Sequence, residues 1–148
     1  MQFDKYPVTV GVTSMVYEFI SQGTHGEISK LVIYSETHLH NFYNLGFGDK
    51  DAITGNIDDT IITNNGDSDK VLAAVAATLY NFTDKYPDAM VFASGNTKAR
   101  TRLYRMGISN NLQIIEPDFE IFGLLREEWQ PFKKGIEFEA FLVKRKIK

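Results

Sequence analysis

The sequence predicts an α+β domain in which an N-terminal antiparallel β-meander is followed by α-β-α-β units on a mixed sheet. Two patterns support this fold class. Apolar residues alternate with polar ones through most of the first 65 residues, and helical segments then alternate with short apolar runs. The length of 148 residues is that of one domain, so we expect residues 1–148 to fold as a single unit.

The predicted meander contains four extended segments. In the first, Val8, Val10 and Val12 alternate with threonine and glycine, which is the two-residue period of a half-buried strand, and the chain stays extended through VYEFIS. The turn QGTHG (22–26) indicates a hairpin between the first two strands. The other three segments are EISKLVIYSE (27–36), HLHNFYNLGFGD (38–49) and IDDTIIT (57–63).

Helices and strands alternate in the second half of the chain. A long amphipathic helix is predicted to begin at Asp67 or Ser68, either of which can cap it, and to end before Pro87. A second helix follows a buried strand and is expected to close at Gly107. Residues 118–134 fit either a helix or an irregular excursion. The strands predicted here are AMVFAS (89–94), LQIIEP (112–117) and IEFEAFLVKRK (136–146).

Composition limits the classes of function. The net charge of −3 argues against strong, general binding of nucleic acids. The absence of cysteine excludes disulfides, thiolate nucleophiles and cysteine-based zinc sites, and suits a reducing cytoplasm. The N-terminus lacks signal-peptide features, and no apolar run is long enough to span a bilayer. We therefore expect a cytoplasmic protein without a membrane partner.

The segment SGNTKARTRLYRMG (94–107) is basic within an acidic chain. On a helical wheel Ala99, Leu103 and Met106 form the face expected to pack on the sheet, and the basic side chains lie on both sides of it. At the start of such a helix the backbone N–H groups are unpaired and the dipole is positive, so a glycine there leaves room for an anion. The predicted anion-binding residues are Gly95, Asn96, Thr97, Lys98, Arg100, Arg102 and Arg105.

The same segment has two other interpretations. It is also typical of a solvated helix face whose arginines pair with nearby acids, and surface pairs of that kind contribute little to stability. It could also contact a nucleic acid or a protein, which for a nucleic acid predicts binding that falls steeply with salt.

Two further groups of residues are candidate sites, one for a metal ion and one for a partner protein. Glu36, His38 and His40 are spaced by two and would project from one face of a continuous strand, as zinc or iron ligands do, but a strand end at this position would leave them as exposed side chains. Trp129 and Phe132 are predicted core residues, with a partner surface as the alternative.

The stretch VFASGNTKARTRLYRMGI (91–108) resembles a strand–helix segment of the GNAT acyltransferases. Asn96 and Ala99 match an N-x-x-A pattern, and a Leu-Tyr pair and a Gly followed by an apolar residue come after it. The order of elements is also similar to that fold. The resemblance implies binding of acetyl-coenzyme A, with Tyr104 as candidate general acid.

This sequence departs from the GNAT pattern at two points. The family's tyrosine follows the asparagine by seven residues, where this chain has Leu103, and Tyr104 comes one position later. The family's glycine-rich turn before the preceding helix corresponds to NNGDSDK (64–70), where Asp67 and Asp69 would repel a pyrophosphate.

The chain also resembles an uncharacterised family of small bacterial proteins, most clearly over residues 64–108. That resemblance implies a bacterial, cytoplasmic protein and no particular chemistry. Two hypotheses follow, and they leave open whether the protein is an enzyme. One is a small binding or interaction module that uses the basic helix to bind an anion or a protein and needs no cofactor; the other is a divergent GNAT-like acyltransferase that uses acetyl-coenzyme A. An exposed sheet edge would support a homodimer.

Overall fold

The computed structural model describes residues 5–11, 15–58, 64–95 and 97–147. These residues form two α-helices on one eight-stranded mixed sheet, which confirms the predicted α+β class. The helices are α1 (Ser68–Lys85) and α2 (Lys98–Ile115). The strands are β1 (Thr9–Val10), β2 (Val16–Gly23), β3 (Gly26–Glu36), β4 (Phe42–Asp49), β5 (Met90–Ala93), β6 (Phe119–Leu125), β7 (Glu128–Pro131) and β8 (Ala140–Arg145).

The strand order is β1-β2-β3-β4-β5-β8-β6-β7. The predicted antiparallel meander is confirmed for β2, β3 and β4, with a hairpin that closes at Gly23 and Gly26. The prediction of one continuous first strand is wrong, because the chain folds back and β1 pairs antiparallel with β2. β4 and β5 are parallel neighbours, whereas the other neighbouring strands are antiparallel. Because α1 connects two parallel strands and α2 follows the second of them, both helices begin at the carboxyl ends of β4 and β5.

Both helices cover the same face of the sheet. Tyr43, Val91 and Val143 lie side by side in register, and all three belong to the core cluster that includes α1. Phe82 of α1 stacks on Tyr34 with 4.1 Å between ring centroids. The apolar stripe predicted for α1 is therefore confirmed, and an aromatic layer joins that helix to the meander.

The predicted end of the second helix at Gly107 is wrong, because α2 continues to Ile115. The predicted strand LQIIEP (112–117) is consequently the last turn of a helix and its exit. Gly107 is a packing position: a Cβ atom there would lie 3.2 Å from the side chain of Leu72 on α1. The glycine lets the two helices approach, which explains why a residue that often ends helices stands inside this one.

Residues 118–134 form neither a helix nor an irregular excursion, since β6 and β7 make a hairpin. Its turn residues Arg126 and Glu127 both have positive φ, 51° and 68°. Neither is a glycine or asparagine, so the turn carried none of the usual sequence signals. The predicted last strand is confirmed in a shorter form as β8. The predicted fourth strand at 57–63 lies mostly outside the described residues; Ile57 makes one bridge with Lys50.

Candidate functional site

β4 extends beyond the end of its parallel neighbour β5. Their last registered pair is Asn44 with Phe92, and β4 continues to Asp49 while β5 stops at Ala93. Within the described residues no strand pairs with this last part of β4 on the β5 side, although the Asp49 carbonyl oxygen accepts from the Asp58 N–H group at 2.8 Å. A gap of this kind at the carboxyl end of parallel strands is a common place for ligands in α/β sheets.

Two side chains of α2 lie in this gap, next to Leu45 and Phe47 of β4. The Tyr104 hydroxyl donates to the carbonyl oxygen of Leu45 at 3.3 Å, and the Arg100 guanidinium donates to that of Phe47 at 3.2 Å. Arg100 also donates to the carbonyl oxygen of Asp58 at 2.7 Å. Burial raises the pKa of the Tyr104 hydroxyl, although the Arg100 charge and the Phe47 backbone act in the opposite direction. The hydroxyl is thus a proton donor held in the sheet.

The face of α2 that meets the sheet is not the predicted one. Tyr104 and Ile108 pack against the core, and Ile115 belongs to it. Ala99 is exposed, and Leu103 and Met106 are only half-buried. The predicted face was based on residues 97–106, which cover only the first half of α2, whereas the core contacts of Ile108 and Ile115 lie beyond them.

A cavity of about 470 Å³ lies beside the gap, between the N-terminal halves of α1 and α2. Its apolar wall contains Leu103 and Met106, which the wheel had assigned to the sheet. Its polar residues come from both helix starts, from the strands and from the segment before α1. The side chains that line it are Lys30, Phe47, Asn64, Asn65, Asp67, Ser68, Val71, Leu72, Thr97, Ala99, Arg100, Arg102, Leu103 and Met106.

A polar network borders one side of this cavity. The Asp67 carboxylate accepts hydrogen bonds from the Tyr6 hydroxyl and from Ser21 Oγ, the latter at 2.6 Å. The Asn65 amide donates to Ser21 Oγ at 3.1 Å. Lys30 is buried and forms an ion pair with Asp49. These contacts hold the lining residues in place without a ligand.

Asp67 contributes a fixed negative charge to the cavity. Burial alone would raise the pKa of its carboxyl group, but the hydrogen bonds from Ser21 and Tyr6 and the nearby Lys30 charge together hold that pKa below its usual value. Asp67 occupies the N-cap position of α1 without capping it through its side chain, so the predicted capping role is wrong. The carboxylate is used by the Tyr6 and Ser21 contacts instead.

The structure divides the predicted anion-binding residues into separate groups. Arg100, Arg102 and Thr97 line the cavity, whereas Lys98 does not. Arg105 lies away from it, with its guanidinium 3.7 Å from the Glu137 carboxylate. Asn96 lies outside the described residues. Among the described residues Arg102 has no hydrogen-bond or ion-pair partner, which makes it the guanidinium most available to a ligand.

Gly95 does not provide the open approach that was expected of it. A Cβ atom at this position would lie 2.4 Å from Arg100 Cβ and 2.5 Å from the Thr101 nitrogen. Its N–H group already donates to Thr101 Oγ1 at 3.2 Å. Thr97 caps α2 by accepting from the Arg100 N–H group. The space beside this glycine is therefore taken by the helix itself.

The structure does not bring the candidate metal ligands Glu36, His38 and His40 together on one face of a strand. β3 ends at Glu36, and the alternation stops in a turn where His38 and His40 are exposed. Across the ranges that the structure describes, no group of three histidine, cysteine or carboxylate side chains is placed to hold a metal ion. The continuous strand assumed for a ligand set is absent because Thr37 Oγ1 bonds within the turn, accepting from the Leu39 N–H group at 3.1 Å.

The aromatic pair in 118–134 is split between two environments. Phe132 packs against Phe138 and Phe141 in a second core cluster, as predicted. Trp129 is 43% exposed and meets Phe92 edge to face at 6.0 Å. The core prediction therefore holds for Phe132 and only partly for Trp129.

Sequence reasoning missed the residues that α1 and the meander contribute to the cavity. Lys30 is in phase with Val32 and Tyr34 on the buried face of β3, and a lysine in that phase was a readable signal of an internal polar site. Asn64, Asn65 and Ser68 carried no comparable signal, because polar residues before a helix are ordinary loop and cap residues.

Fold and site together define an α+β protein with two helices on one face of a mixed sheet and a cavity beside the point where the pairing of its parallel strands ends. The chain belongs to a family of unknown function, DUF6934, whose model matches residues 2–146. The prediction of an uncharacterised family is thereby confirmed. No curated protein and no solved structure matches the chain. Neither described helix has the length and apolar character needed to cross a bilayer.

Proposed function

We propose that this protein is a small-molecule binding module whose cavity between α1 and α2 accepts an anion. The observation that carries the proposal is the Arg102 guanidinium, which has no partner in the described part of the chain and lies at the edge of a cavity of about 470 Å³. Ligand sites in proteins have volumes of roughly 300–1,000 Å³ and combine apolar walls with a few placed polar groups. This cavity has both properties.

The electrostatics of the cavity support an anionic ligand. Ser68 and Thr97 line it at the starts of α1 and α2, where helix dipoles are positive. Arg100 adds a charge that two neutral carbonyl groups hold in place. Asp67 opposes these charges in part, so the ligand's negative group belongs on the Arg102 side.

Matched arginine variants test the proposal. Arg102→Gln and Arg105→Gln each remove one positive charge from α2, and only the first alters the cavity. We expect an anion from a panel of phosphate, carboxylates, nucleotides and coenzyme A to raise the melting temperature of the wild type and of Arg105→Gln. At one hundred times its dissociation constant it adds about 2.7 kcal/mol, which for this size is roughly 5–10 °C. Equal shifts in both variants would rule out the cavity as the site.

A second candidate is a divergent GNAT-like acyltransferase that uses acetyl-coenzyme A. The observation in its favour is that the parallel pairing of β4 with β5 stops at Asn44 and Phe92 while β4 continues, because an acyl donor could enter beside β4 beyond that pairing. Tyr104 lies in that gap as the candidate acid, but its hydroxyl is engaged with Leu45. The test is release of free coenzyme A from acetyl-coenzyme A with a panel of primary amines. Activity that Tyr104→Phe abolishes would favour this candidate, and no activity in the wild type would remove it.

Location and partners belong to the same proposal. We place the protein in the bacterial cytoplasm on the family resemblance and the cysteine-free composition. A protein partner or a second copy would pair at the edge strands β1 and β7, which light scattering at two concentrations tests. A nucleic-acid contact through Lys98, Arg102 and Arg105 is weakened as an interpretation because Arg105 faces Glu137.

A further inference from the structure

We infer that the ligand of this cavity is an aliphatic monocarboxylate, with its carboxylate at Arg102 and its chain between α1 and α2. The inference rests on the proposed anion-binding function and narrows it to one chemical class. Two independent features of the lining carry it: an apolar wall whose α2 side chains, Leu103 and Met106, belong to neither core cluster, and a charge balance that leaves one positive charge.

The apolar wall lies between the helices. Leu103 and Met106 on α2 face the cavity along with Val71 and Leu72 on α1. Leu103 and Met106 are half-buried and belong to neither of the two core clusters. Large apolar side chains of an interior helix normally pack on the core. Here they are directed to a space that an aliphatic chain would fill.

The charge balance favours one negative charge on the ligand. Among the described residues that line the cavity, the Lys30 charge is matched by its ion pair with Asp49. Two arginines then stand against the single carboxylate of Asp67, which keeps its charge because Tyr6 and Ser21 donate to it. A dianion or a pyrophosphate would meet one uncompensated positive charge and a fixed carboxylate, so the cavity suits a monoanion.

The carboxylate is assigned to Arg102 because the other cations are committed. Arg100 is held by the carbonyl groups of Phe47 and Asp58, and Lys30 by Asp49. Arg102 is exposed and unpartnered within the described part of the chain. Its guanidinium can bind a carboxylate through two parallel hydrogen bonds. The aliphatic chain then runs inward, away from water, along Leu103 and Met106.

Calorimetric titration with a graded series of probes tests the inference. The probes are acetate, butyrate, hexanoate and octanoate, with octanol as the uncharged tail and pyrophosphate as the tail-free polyanion. We expect one octanoate per chain, and an affinity that rises about fourfold for each methylene that enters the cavity. Octanoate should bind more tightly than octanol and much more tightly than acetate or pyrophosphate.

Three variants locate the two ends of the ligand. Arg102→Gln should weaken octanoate binding about tenfold and leave octanol unchanged, because only a charge-assisted contact is lost. Met106→Gln, which keeps the side-chain length, should flatten the dependence on chain length. Arg105→Gln is the matched control and should change neither affinity by more than about twofold.

The outcomes separate the ligand class from the proposed function. If pyrophosphate or coenzyme A binds through Arg102 while chain length has no effect, the monocarboxylate is wrong and the anion site stands. If octanoate binds Arg102→Gln as tightly as the wild type, it covers apolar surface only and the inference is overturned. If no anion binds, or if Arg102→Gln and Arg105→Gln behave alike with every anion, the proposed function falls with it.

Discussion

Replacement of Arg100 by methionine should destabilise the protein even where no ligand is present. The guanidinium donates to the carbonyl group of Phe47 in β4 and to that of Asp58 in the segment after β4, and so links the two. Methionine keeps most of the aliphatic stem and the helix propensity, and removes the donors. The change therefore isolates these two hydrogen bonds from the packing of the side chain.

The magnitude follows from the exposure of the two acceptors. Phe47 is 3% exposed, so its carbonyl group would be left buried without a donor, at a cost of about 1–3 kcal/mol. Asp58 is half-exposed, so water can replace the lost donor and the cost there is about 0.5–1 kcal/mol. We expect a total loss of roughly 2–4 kcal/mol, which corresponds to a fall in melting temperature of roughly 5–15 °C.

Urea unfolding followed by circular dichroism measures this loss, with an unchanged dependence on urea as the check that only stability has changed. Arg105→Met is the matched control, because its guanidinium only faces the largely exposed Glu137 carboxylate and should cost less than about 1 kcal/mol. Arg100→Lys should fall between the wild type and Arg100→Met, since one ammonium cannot reproduce the two-pronged contact. If Arg100→Met and Arg105→Met unfold at the same urea concentration, the structural role assigned to Arg100 is wrong.

Three further changes test the surroundings of the cavity. Asp67→Asn should reduce stability near pH 7. The difference from the wild type should shrink as pH falls through and below about 4, because the Asp67 carboxyl group, whose pKa is lowered in the fold, stabilises it only while ionised. A difference in urea unfolding that does not change with pH would contradict this. Lys30→Met should cost about 3–5 kcal/mol by removing the cation of a buried ion pair, and adding Asp49→Leu should recover part of it; a double variant less stable than the single one would count against the ion pair. Gly95→Ala should lower the melting temperature by several degrees, because its Cβ would overlap Arg100, and an unchanged value would show that the helix start yields freely.

The fold was predictable where local pattern and tertiary environment agree. The meander alternates apolar and polar residues because one face is covered, and the hairpin of β2 and β3 has glycines at its turn. α1 has an uninterrupted apolar stripe that ends before Pro87. In each case the signal lies within about twenty residues and needs no knowledge of what packs on it.

Prediction failed where a residue's role depends on a distant partner. Gly107 looked like a helix end, but it lets Leu72 approach from α1. Arg126 and Glu127 adopt positive φ in the β6–β7 turn without a glycine. Arg100 faces the sheet because its guanidinium bonds to the carbonyl groups of Phe47, in the part of β4 beyond its pairing with β5, and of Asp58. None of these partners can be identified from sequence spacing alone.

Only part of the candidate site could be predicted from the sequence, for the same reason. Its basic side came from a local anomaly, a run of arginines in an acidic chain, and the structure places Arg100 and Arg102 at the cavity. Its acidic residue Asp67 and the apolar residues Phe47 and Val71 lie roughly 30 to 55 positions from these arginines in the sequence, and only the folded sheet brings them together. Leu103 and Met106 were predicted to pack on the sheet, whereas in the structure they line the cavity.

Substitutions of the two cavity arginines therefore test different properties, stability for Arg100 and ligand binding for Arg102, although the residues are two positions apart on one helix. Arg100 is held by backbone carbonyl groups, so its loss changes stability whether or not a ligand exists. Arg102 is exposed and has no partner among the described residues, so its loss should change stability little and binding strongly. A ligand search that uses Arg100→Ala as its control would confuse unfolding with lost binding. Arg102→Gln separates unfolding from lost binding. Arg102 does not make the contacts that Arg100 makes beside β4, so a change in ligand affinity cannot come from the loss of those contacts.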